Sequence, residues 1–174
     1  LMKVAPDGRG VISCVELAAV QDKPALWSTA LMWLVAELFE ALPEEGDLPK
    51  PKLVVFLDEA HLLFDDATEA FLDALARLVR LIRSKGVGVF FVTQQPTDLP
   101  EGVLAQLGSR VQHALRAFTP KDAKDLKAVV STYPTSDFYD VGELLTSMGT
   151  GEAAVTLLSE KGVPTPVVHT TSRS

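Results

Sequence analysis

The stretch LVVFLDEAHLLF, residues 53–64, joins an apolar run directly to two carboxylates. The run predicts a buried strand that ends at Asp58 and Glu59. A carboxylate at the tip of a buried strand is rigidly held and faces solvent or a ligand. That position suits Asp58 as a ligand of Mg²⁺ bound to phosphate. The adjacent Glu59 is suited to polarising an attacking water.

A second polar cluster follows the next predicted strand, VGVFFVTQQ, residues 87–95. Thr93, Gln94 and Gln95 lie at its carboxyl end, and Thr93 is a candidate nucleotide contact. Ligands of open α/β sheets bind beyond the carboxyl ends of the strands, so the two strand ends are expected to line one crevice. An apolar run followed by Asp-Glu is the Walker B pattern of P-loop ATPases. The competing interpretation is that the carboxylate pair only caps the next helix, and the neighbouring Thr-Gln favours the nucleotide site.

Residues 58–61 also spell DEAH, the box of a helicase superfamily. That superfamily needs a second domain with an arginine motif, and its Ser-Ala-Thr motif is absent here. His61 is therefore expected to start a helix or to pack. A metal hydrolase built on Asp58 and Glu59 is a weaker alternative, because the predicted strand ends carry no further acidic or histidine ligand apart from His61.

Arginines supply the second signal, because residues 74–97 contain several basic side chains and no acid. Arg77 and Arg80 are expected to lie on a solvated helix face. Arg83 ends the helix just before the Thr-Gln strand, where it is a candidate arginine finger toward a phosphate in a neighbouring subunit. Arg110, which opens a later strand, is the second candidate. Four more basic residues are expected to be surface charges or contacts to DNA phosphates: Arg116, Lys121, Lys124 and Lys127.

The phosphate cradle G-x-x-x-x-G-K-[ST] is absent, and no glycine of the chain is followed by lysine. Backbone amides and that lysine supply most of the binding to a triphosphate. Two explanations stay open. The chain is a fragment that holds the catalytic back half of an ATP site, as the unusual start at Leu1 favours, or it is an ATPase relative that has lost nucleotide binding.

Composition limits the class of protein. The 174 residues suffice for one domain with a substantial core, and 47% hydrophobic with 22% charged residues is typical of a globular chain. A net charge of −7 excludes a surface that attracts DNA or anionic lipid as a whole. Cys14 is the only cysteine, which excludes an intrachain disulfide and favours a cytoplasmic protein.

The most apolar long stretch, residues 24–43, predicts a buried amphipathic helix and no membrane span. Glu37 and Glu40 interrupt it, and its apolar run over residues 30–36 is far shorter than the roughly 20 residues that a span needs. We therefore expect no membrane partner.

Strand and helix patterns alternate along the chain. Apolar runs predict strands at 8–20, 52–57, 87–95 and 110–118. Helical spacing and end signals, with Thr119 as an N-cap, predict helices at 24–42, 65–86, 99–109, 119–130 and 140–149. Residues 151–169 predict a β-hairpin with its turn at Glu160 to Gly162. The alternation predicts an α/β layered fold with a mainly parallel sheet, its strand 52–57 buried on both faces. We expect one domain over residues 1–174, ending in a disordered tail at 168–174.

The chain closely resembles the C-terminal region of bacterial HerA-like ATPases of the YjgR type. These belong to the wider HerA/FtsK group of RecA-like P-loop motor ATPases. The resemblance covers roughly residues 8–164, and its long central block is the most specific part. Four segments carry it: GRGVISCVELAAV, LVVFLDEAHLLFDDA, RLVRLIRSKGVGVFFVTQQPTDLPEGVLAQLGSRVQHALRAFTPKD and GTGEAAVTLLSEKGVP.

The resemblance implies a three-layer RecA-like core that here lacks the Walker A segment and ends in the β-hairpin. It implies ATP and Mg²⁺ as cofactors, a hexameric ring and movement of double-stranded DNA. Asp58 matches the Walker B magnesium ligand and Glu59 the catalytic glutamate. Gln94 matches the sensor glutamine, and Arg83 the arginine finger that acts across a subunit interface. Arg110 lies near a second arginine position.

These observations predict the C-terminal catalytic part of a HerA-like ATPase with translocase or helicase activity on double-stranded DNA. The alternative is a non-catalytic ring or adaptor module that uses the ATPase fold for assembly. The net acidity mildly favours that alternative, because a DNA motor needs a basic lining.

Overall fold

The computed structural model describes five ranges of the chain: residues 3–16, 23–46, 48–65, 67–159 and 161–172. The chain divides into two compact units, Leu1–Gln106 and Leu107–Ser174. The organisation as one ATPase domain stays a prediction.

The described part of the first unit contains three α-helices and two short strands that alternate along the chain. In chain order they are α1 (Pro24–Ala41), β1 (Leu53–Leu57), α2 (Glu69–Ile82), β2 (Val87–Phe91) and α3 (Glu101–Leu104). Short 3₁₀ helices lie at Ala60–Leu63, Arg83–Lys85 and Pro96–Asp98. The predicted helix at 65–86 is confirmed with a later start, because the side chain of Thr68 accepts the Phe71 N–H and caps α2.

The apolar segment at 24–43 forms the helix α1, as predicted. The prediction that this helix is buried is wrong for part of its surface, because Trp33 is 65% and Leu26 49% exposed. Pro24 occupies its first turn, where a missing N–H costs nothing, and Leu42 turns extended just before Pro43. Leu31 and Leu38 are buried on one face. None of the described helices has the length and apolar character to cross a membrane.

β1 and β2 pair in parallel, with Leu53 opposite Val87 and Leu57 opposite Phe91. One face of this sheet is buried: Leu57 joins a core cluster with Leu31 and Leu63, against which Val55, Val89 and Phe91 pack. On the other face Phe56 and Phe90 stack on each other and are 67% and 51% exposed. The prediction that the strand at 52–57 is buried on both faces is therefore wrong for this chain, because the described helices pack on one face.

The predicted first strand, residues 8–20, is not found where the chain is described. Residues 8–16 contain no strand beyond an isolated antiparallel bridge between Val4 and Gly10. Residues 17–20 lie outside the described part of the chain.

The second unit contains an antiparallel sheet and two helices in its described residues. The elements are β3 (Arg110–Gln112), α4 (Pro120–Val130), α5 (Val141–Ser147), β4 (Glu152–Thr156) and β5 (Val168–Thr171). The strand order is β3-β4-β5, with both pairs antiparallel. The α/β class is confirmed, but the expected mainly parallel sheet is replaced by two small sheets of different kinds. The predicted strand at 110–118 is shorter than expected.

The hairpin of β4 and β5 confirms the predicted one, with Glu152 opposite Thr171. Gly162, in its predicted turn, has φ 73°, which favours glycine, and Glu160 lies outside the described residues. The tail predicted as disordered at 168–174 is wrong for residues 168–171, because they pair with β4.

Helices α4 and α5 pack on this sheet. Their core contains Val129, Leu144, Leu145, Met148 and Ala154, together with Val141 and Val167. Thr119 caps α4 as predicted, in a reciprocal capping box with Asp122.

Arg116 has a structural role that the amino-acid sequence did not indicate. Its guanidinium donates Nη1 to the carbonyl of Thr146 and Nη2 to that of Met148, 2.8 Å away. Both carbonyls lie at the C-terminal end of α5, where the helix dipole favours a cation. Within the described structure, Arg116 therefore caps a helix.

Arg116→Ala is expected to lower the free energy of unfolding by about 1–3 kcal/mol, because two helix-end carbonyls lose a charged donor. Urea unfolding followed by circular dichroism measures the change. Lys124→Ala, at an exposed position of α4, is the matched control and is expected to change it by less than about 0.5 kcal/mol. Equal losses in the two variants contradict the capping role.

Glu152 is expected to make stability fall in acid. Its Oε2 accepts the Gly149 N–H at 2.8 Å, and this bond chiefly holds the pKa of Glu152 below its ordinary 4.5, with His169 adding to the effect. A carboxyl whose pKa is lowered by folding stabilises the protein above its unfolded pKa, and that contribution is lost as pH falls through the folded pKa. Between about pH 5 and pH 3 the wild type should therefore lose more stability than Glu152→Gln.

Thermal unfolding across that pH range tests this expectation. Asp137→Asn, which removes an exposed loop carboxylate, is the control and should keep the wild-type pH dependence. Parallel curves for the wild type and Glu152→Gln would show that the hydrogen bond to Gly149 carries no pH-dependent stability.

Candidate active site

The parallel register brings the carboxyl ends of β1 and β2 to the same edge of the sheet. Beyond the strands, the Val92 N–H donates to the Leu57 carbonyl and the Ala60 N–H donates to the Val92 carbonyl, both at 2.9 Å. These two bonds fix the Asp58–Glu59 turn beside the segment that carries Thr93 and Gln94. The two polar segments that the sequence places at neighbouring strand ends therefore lie side by side at this edge.

Glu59 has a strained backbone. Its φ of 48° and ψ of 46° are left-handed, and among the described residues no other non-glycine has a positive φ. The Glu59 N–H donates to Oδ1 of Asp58 at 3.0 Å. On the other side the chain is anchored by Ala60 and Leu63, both 0% exposed. Such a conformation costs of order 1–3 kcal/mol and persists only where the surroundings enforce it, as they do here.

The side chains of Glu59 and Gln94 meet at this edge. Nε2 of Gln94 lies 3.4 Å from both Oε1 and Oε2 of Glu59 and donates to the carboxylate. The bonds are long, so the amide can exchange them for another acceptor at small cost. A carboxylate and an amide side by side can together orient a water and an anionic group.

His61 completes this group, and sequence reasoning missed it. Its Nδ1 lies 3.2 Å from Oε2 of Glu59, within ion-pair distance but without hydrogen-bond alignment. The same nitrogen is buried and has no hydrogen-bond partner in the described structure. Residues i and i+2 of a helix do not face each other, so the expected helix start at DEAH gave no reason to pair these side chains. The left-handed turn at Glu59 brings them together.

Asp58 is exposed, and its Oδ1 holds the turn through the Glu59 N–H. Mg²⁺ that binds phosphate keeps several waters and takes only one or two carboxylates from the protein, so an exposed carboxylate at a fixed turn fits that ion. The described residues contain no cluster of three or more His, Cys, Asp or Glu side chains that could hold a metal ion.

Thr93 bonds within its own loop. Its hydroxyl donates to Oδ2 of Asp98 at 2.7 Å, and the Gln95 N–H donates to the same oxygen at 3.0 Å. Asp98 thereby closes a capping box on the short helix that follows. In this structure Thr93 shapes the loop that presents Gln94.

Arg83 lies at the opposite edge of the sheet from Glu59. It follows α2 directly and begins the turn into β2, whose first residue pairs with the first residue of β1. The strands between the two edges have five residues each, or about 13 Å at roughly 3.3 Å per residue. Arg83 is exposed and its side chain is engaged in an interaction. The structure does not bring Arg83 and Glu59 together within one subunit.

Arg110 opens β3 in the second unit and is engaged there. Its Nη1 donates to Oγ1 of Thr132 at 2.5 Å, and its guanidinium lies 5.7 Å from the ring centre of Tyr133. Burial raises the pKa of the Tyr133 hydroxyl, an effect that the Arg110 charge opposes. The contacts seen for Arg110 are structural ones within its own unit.

Comparison with known proteins gives three related sequences. Two are named DNA double-strand break repair helicase HerA. The one from Sulfolobus acidocaldarius is 32% identical over 117 residues, or 66% of this chain, and the one from Sulfurisphaera tokodaii is 32% identical over 108 residues, or 60%. The third, DNA translocase FtsK of Streptococcus agalactiae serotype V, is 33% identical over 85 residues, or 48%.

The matched regions are small parts of these relatives: 22%, 20% and 10% of their lengths, in the same order. A family model described as helicase HerA-like C-terminal matches residues 1–174, the whole chain. The chain therefore belongs to the helicase HerA-like C-terminal family.

Proposed function

We propose that this chain carries the carboxylate half of an ATP-hydrolysing site in a motor that moves or unwinds double-stranded DNA. The observation that carries the proposal is the contact between Gln94 and Glu59 at the shared edge of β1 and β2. It joins a general base to a group that can bind phosphate, next to the exposed carboxylate of Asp58. Family membership and the names of the relatives support DNA as the track.

Each side chain has a role in the proposed reaction. Bound Mg-ATP supplies the γ-phosphoryl group and the metal charge that offsets its oxygens. Asp58 holds the magnesium ion, directly or through water. Glu59 accepts a proton from the attacking water and orients it. The amide of Gln94 turns from Glu59 to the γ-phosphate, which its long hydrogen bonds permit. Thr93 supports that loop beside the nucleotide.

The phosphate loop lies outside these 174 residues in this proposal. The sequence has no G-x-x-x-x-G-K-[ST] motif, and the relatives are several times longer than the region matched. Another segment of the parent polypeptide would supply the backbone amides and lysine that bind the triphosphate. The 174 residues alone are then expected to be inactive.

The active unit in this proposal is a ring, with six subunits as the expected number. Within one subunit Arg83 and Glu59 lie at opposite edges of the sheet, so a role for Arg83 in catalysis requires a neighbour. Head-to-tail contacts that close into a ring place one edge of a subunit against the other edge of the next. Arg83 of the neighbour is then the arginine finger, and Arg110 is the second candidate.

Glu59→Gln in the parent protein is expected to lower kcat for ATP hydrolysis by about 10²–10⁴-fold, because an amide cannot accept the proton of the attacking water. Nucleotide binding should be retained. Phosphate release, with and without double-stranded DNA, measures turnover, and a fluorescent ATP analogue measures binding. DNA should stimulate the wild type and leave the variant slow.

Glu69→Gln, which changes an exposed glutamate of α2, is the matched control and should keep wild-type turnover. Wild-type turnover in Glu59→Gln would exclude Glu59 as the base. A parent protein with no turnover above that of the variant, with or without DNA, would support the assembly-module alternative instead.

Arg83→Ala is expected to be inactive alone and to regain activity when mixed with Glu59→Gln. In mixed rings a site works when an Arg83→Ala subunit supplies the intact Glu59 and the next subunit, a Glu59→Gln one, supplies the intact Arg83. Random mixing gives this arrangement at about a quarter of the interfaces. Turnover of the mixture should therefore exceed that of either variant.

Arg80→Ala, one turn earlier on the exposed side of α2, is the control and should be active alone. A mixture as slow as its two components would argue against a site shared between subunits. An active Arg83→Ala protein would remove Arg83 from the mechanism.

A further inference from the structure

We propose that His61 is a positioning residue that holds the Glu59 carboxylate through its Nδ1. The inference rests on the proposed function, in which Glu59 is the general base. Its basis is the buried Nδ1, which lies 3.2 Å from Oε2 of Glu59 and has no hydrogen-bond partner in the described structure. A buried polar atom without a partner is rare and unfavourable. A small rotation of the ring gives this nitrogen the adjacent carboxylate as its acceptor.

The backbone fixes His61 where it can do this. Its carbonyl accepts the Phe64 N–H at 2.9 Å and the Asp65 N–H at 3.2 Å. The neighbouring Ala60 and Leu63 are fully buried and anchor the 3₁₀ helix. Since the left-handed turn at Glu59 is held on both sides, the backbone positions of the two residues are set by the fold and do not depend on a flexible loop.

His61 and Gln94 contact Glu59 from different segments. Gln94 follows β2 and donates over 3.4 Å to both carboxylate oxygens. His61 follows β1 and lies closer, beside Oε2 only. When the Gln94 amide turns to the γ-phosphate, His61 remains as the donor that keeps Glu59 aimed at the attacking water. This role requires the hydrogen on Nδ1, which both the Nδ1–H tautomer and the protonated ring provide.

Three substitutions in the parent protein separate this role from packing. His61→Asn keeps an N–H donor close to the Nδ1 position, and His61→Leu keeps much of the volume without a donor. His61→Phe keeps a ring without nitrogen, as a second variant in case His61→Leu fails to fold. Melting temperature and binding of a fluorescent ATP analogue are measured for each.

The expected result is a selective loss of kcat. His61→Leu and His61→Phe should each lower kcat for ATP hydrolysis by about tenfold or more and leave KM nearly unchanged. The reason is that misplacing a catalytic group lowers the rate by up to about a hundredfold. His61→Asn should stay within about threefold of the wild type. Wild-type kcat in the Leu or Phe variant overturns the inference. So does an Asn variant as slow as these two, because that result fits a packing role.

Glu59→Gln is assayed beside them, alone and combined with His61→Leu. If His61 acts through Glu59, the double variant should be no slower than Glu59→Gln. An additional loss in the double variant overturns the inference. Wild-type turnover in Glu59→Gln alone overturns the proposed function, whereas an inactive Glu59→Gln with a fully active His61→Leu overturns only the role of His61.

Discussion

The parallel pairing of β1 with β2 is the constraint on which the candidate site depends. Parallel strands have the same polarity, so two segments separated by the whole of α2 both end at one edge. The register continues beyond the strands through the bonds that Val92 makes with Leu57 and Ala60. A shift of one strand by one residue would move Gln94 away from Glu59 and would also turn the buried side chains of the shifted strand out of the core. Packing of the buried sheet face therefore fixes the geometry of the polar edge.

The strained turn at Glu59 shows how the core supports the edge. A left-handed glutamate is unfavourable by itself, and a right-handed continuation would carry its carboxylate away from His61. Complete burial of Ala60 and Leu63 on the far side opposes that relaxation, because it would withdraw apolar surface from the core. Stability gained in the core is thus used to hold the Glu59 side chain in a position that the local backbone does not prefer. The same arrangement leaves Asp58 exposed while its Oδ1 holds the turn.

Local signals in the sequence predicted the local features of the structure. Contacts between distant segments could not be predicted from the sequence. The strand before Asp58 and the cap at Thr119 depend on residues within a few positions of each other, and both are confirmed. The role of Arg116 depends on carbonyls 30 or more residues away, for which no spacing rule exists. The exposed Phe56 was unpredictable for another reason, since an apolar run does not reveal how many faces are covered. The contact of His61 with Glu59 was not predicted because it requires a left-handed backbone at Glu59, which the residue type does not indicate.

Under the proposed mechanism, the separation of Arg83 from Glu59 determines how hydrolysis would be controlled. The two groups lie at opposite ends of five-residue strands, and the rigid sheet prevents them from approaching each other. If Glu59 is the general base as proposed, Arg83 can stabilise the charge that develops on a nearby phosphate only from a second subunit that is correctly placed. In a ring built this way, the barrier to hydrolysis responds to each movement of one subunit against the next. Because linkage is reciprocal, the state of the nucleotide biases the same interface, and this coupling is the physical requirement for converting hydrolysis into movement along DNA.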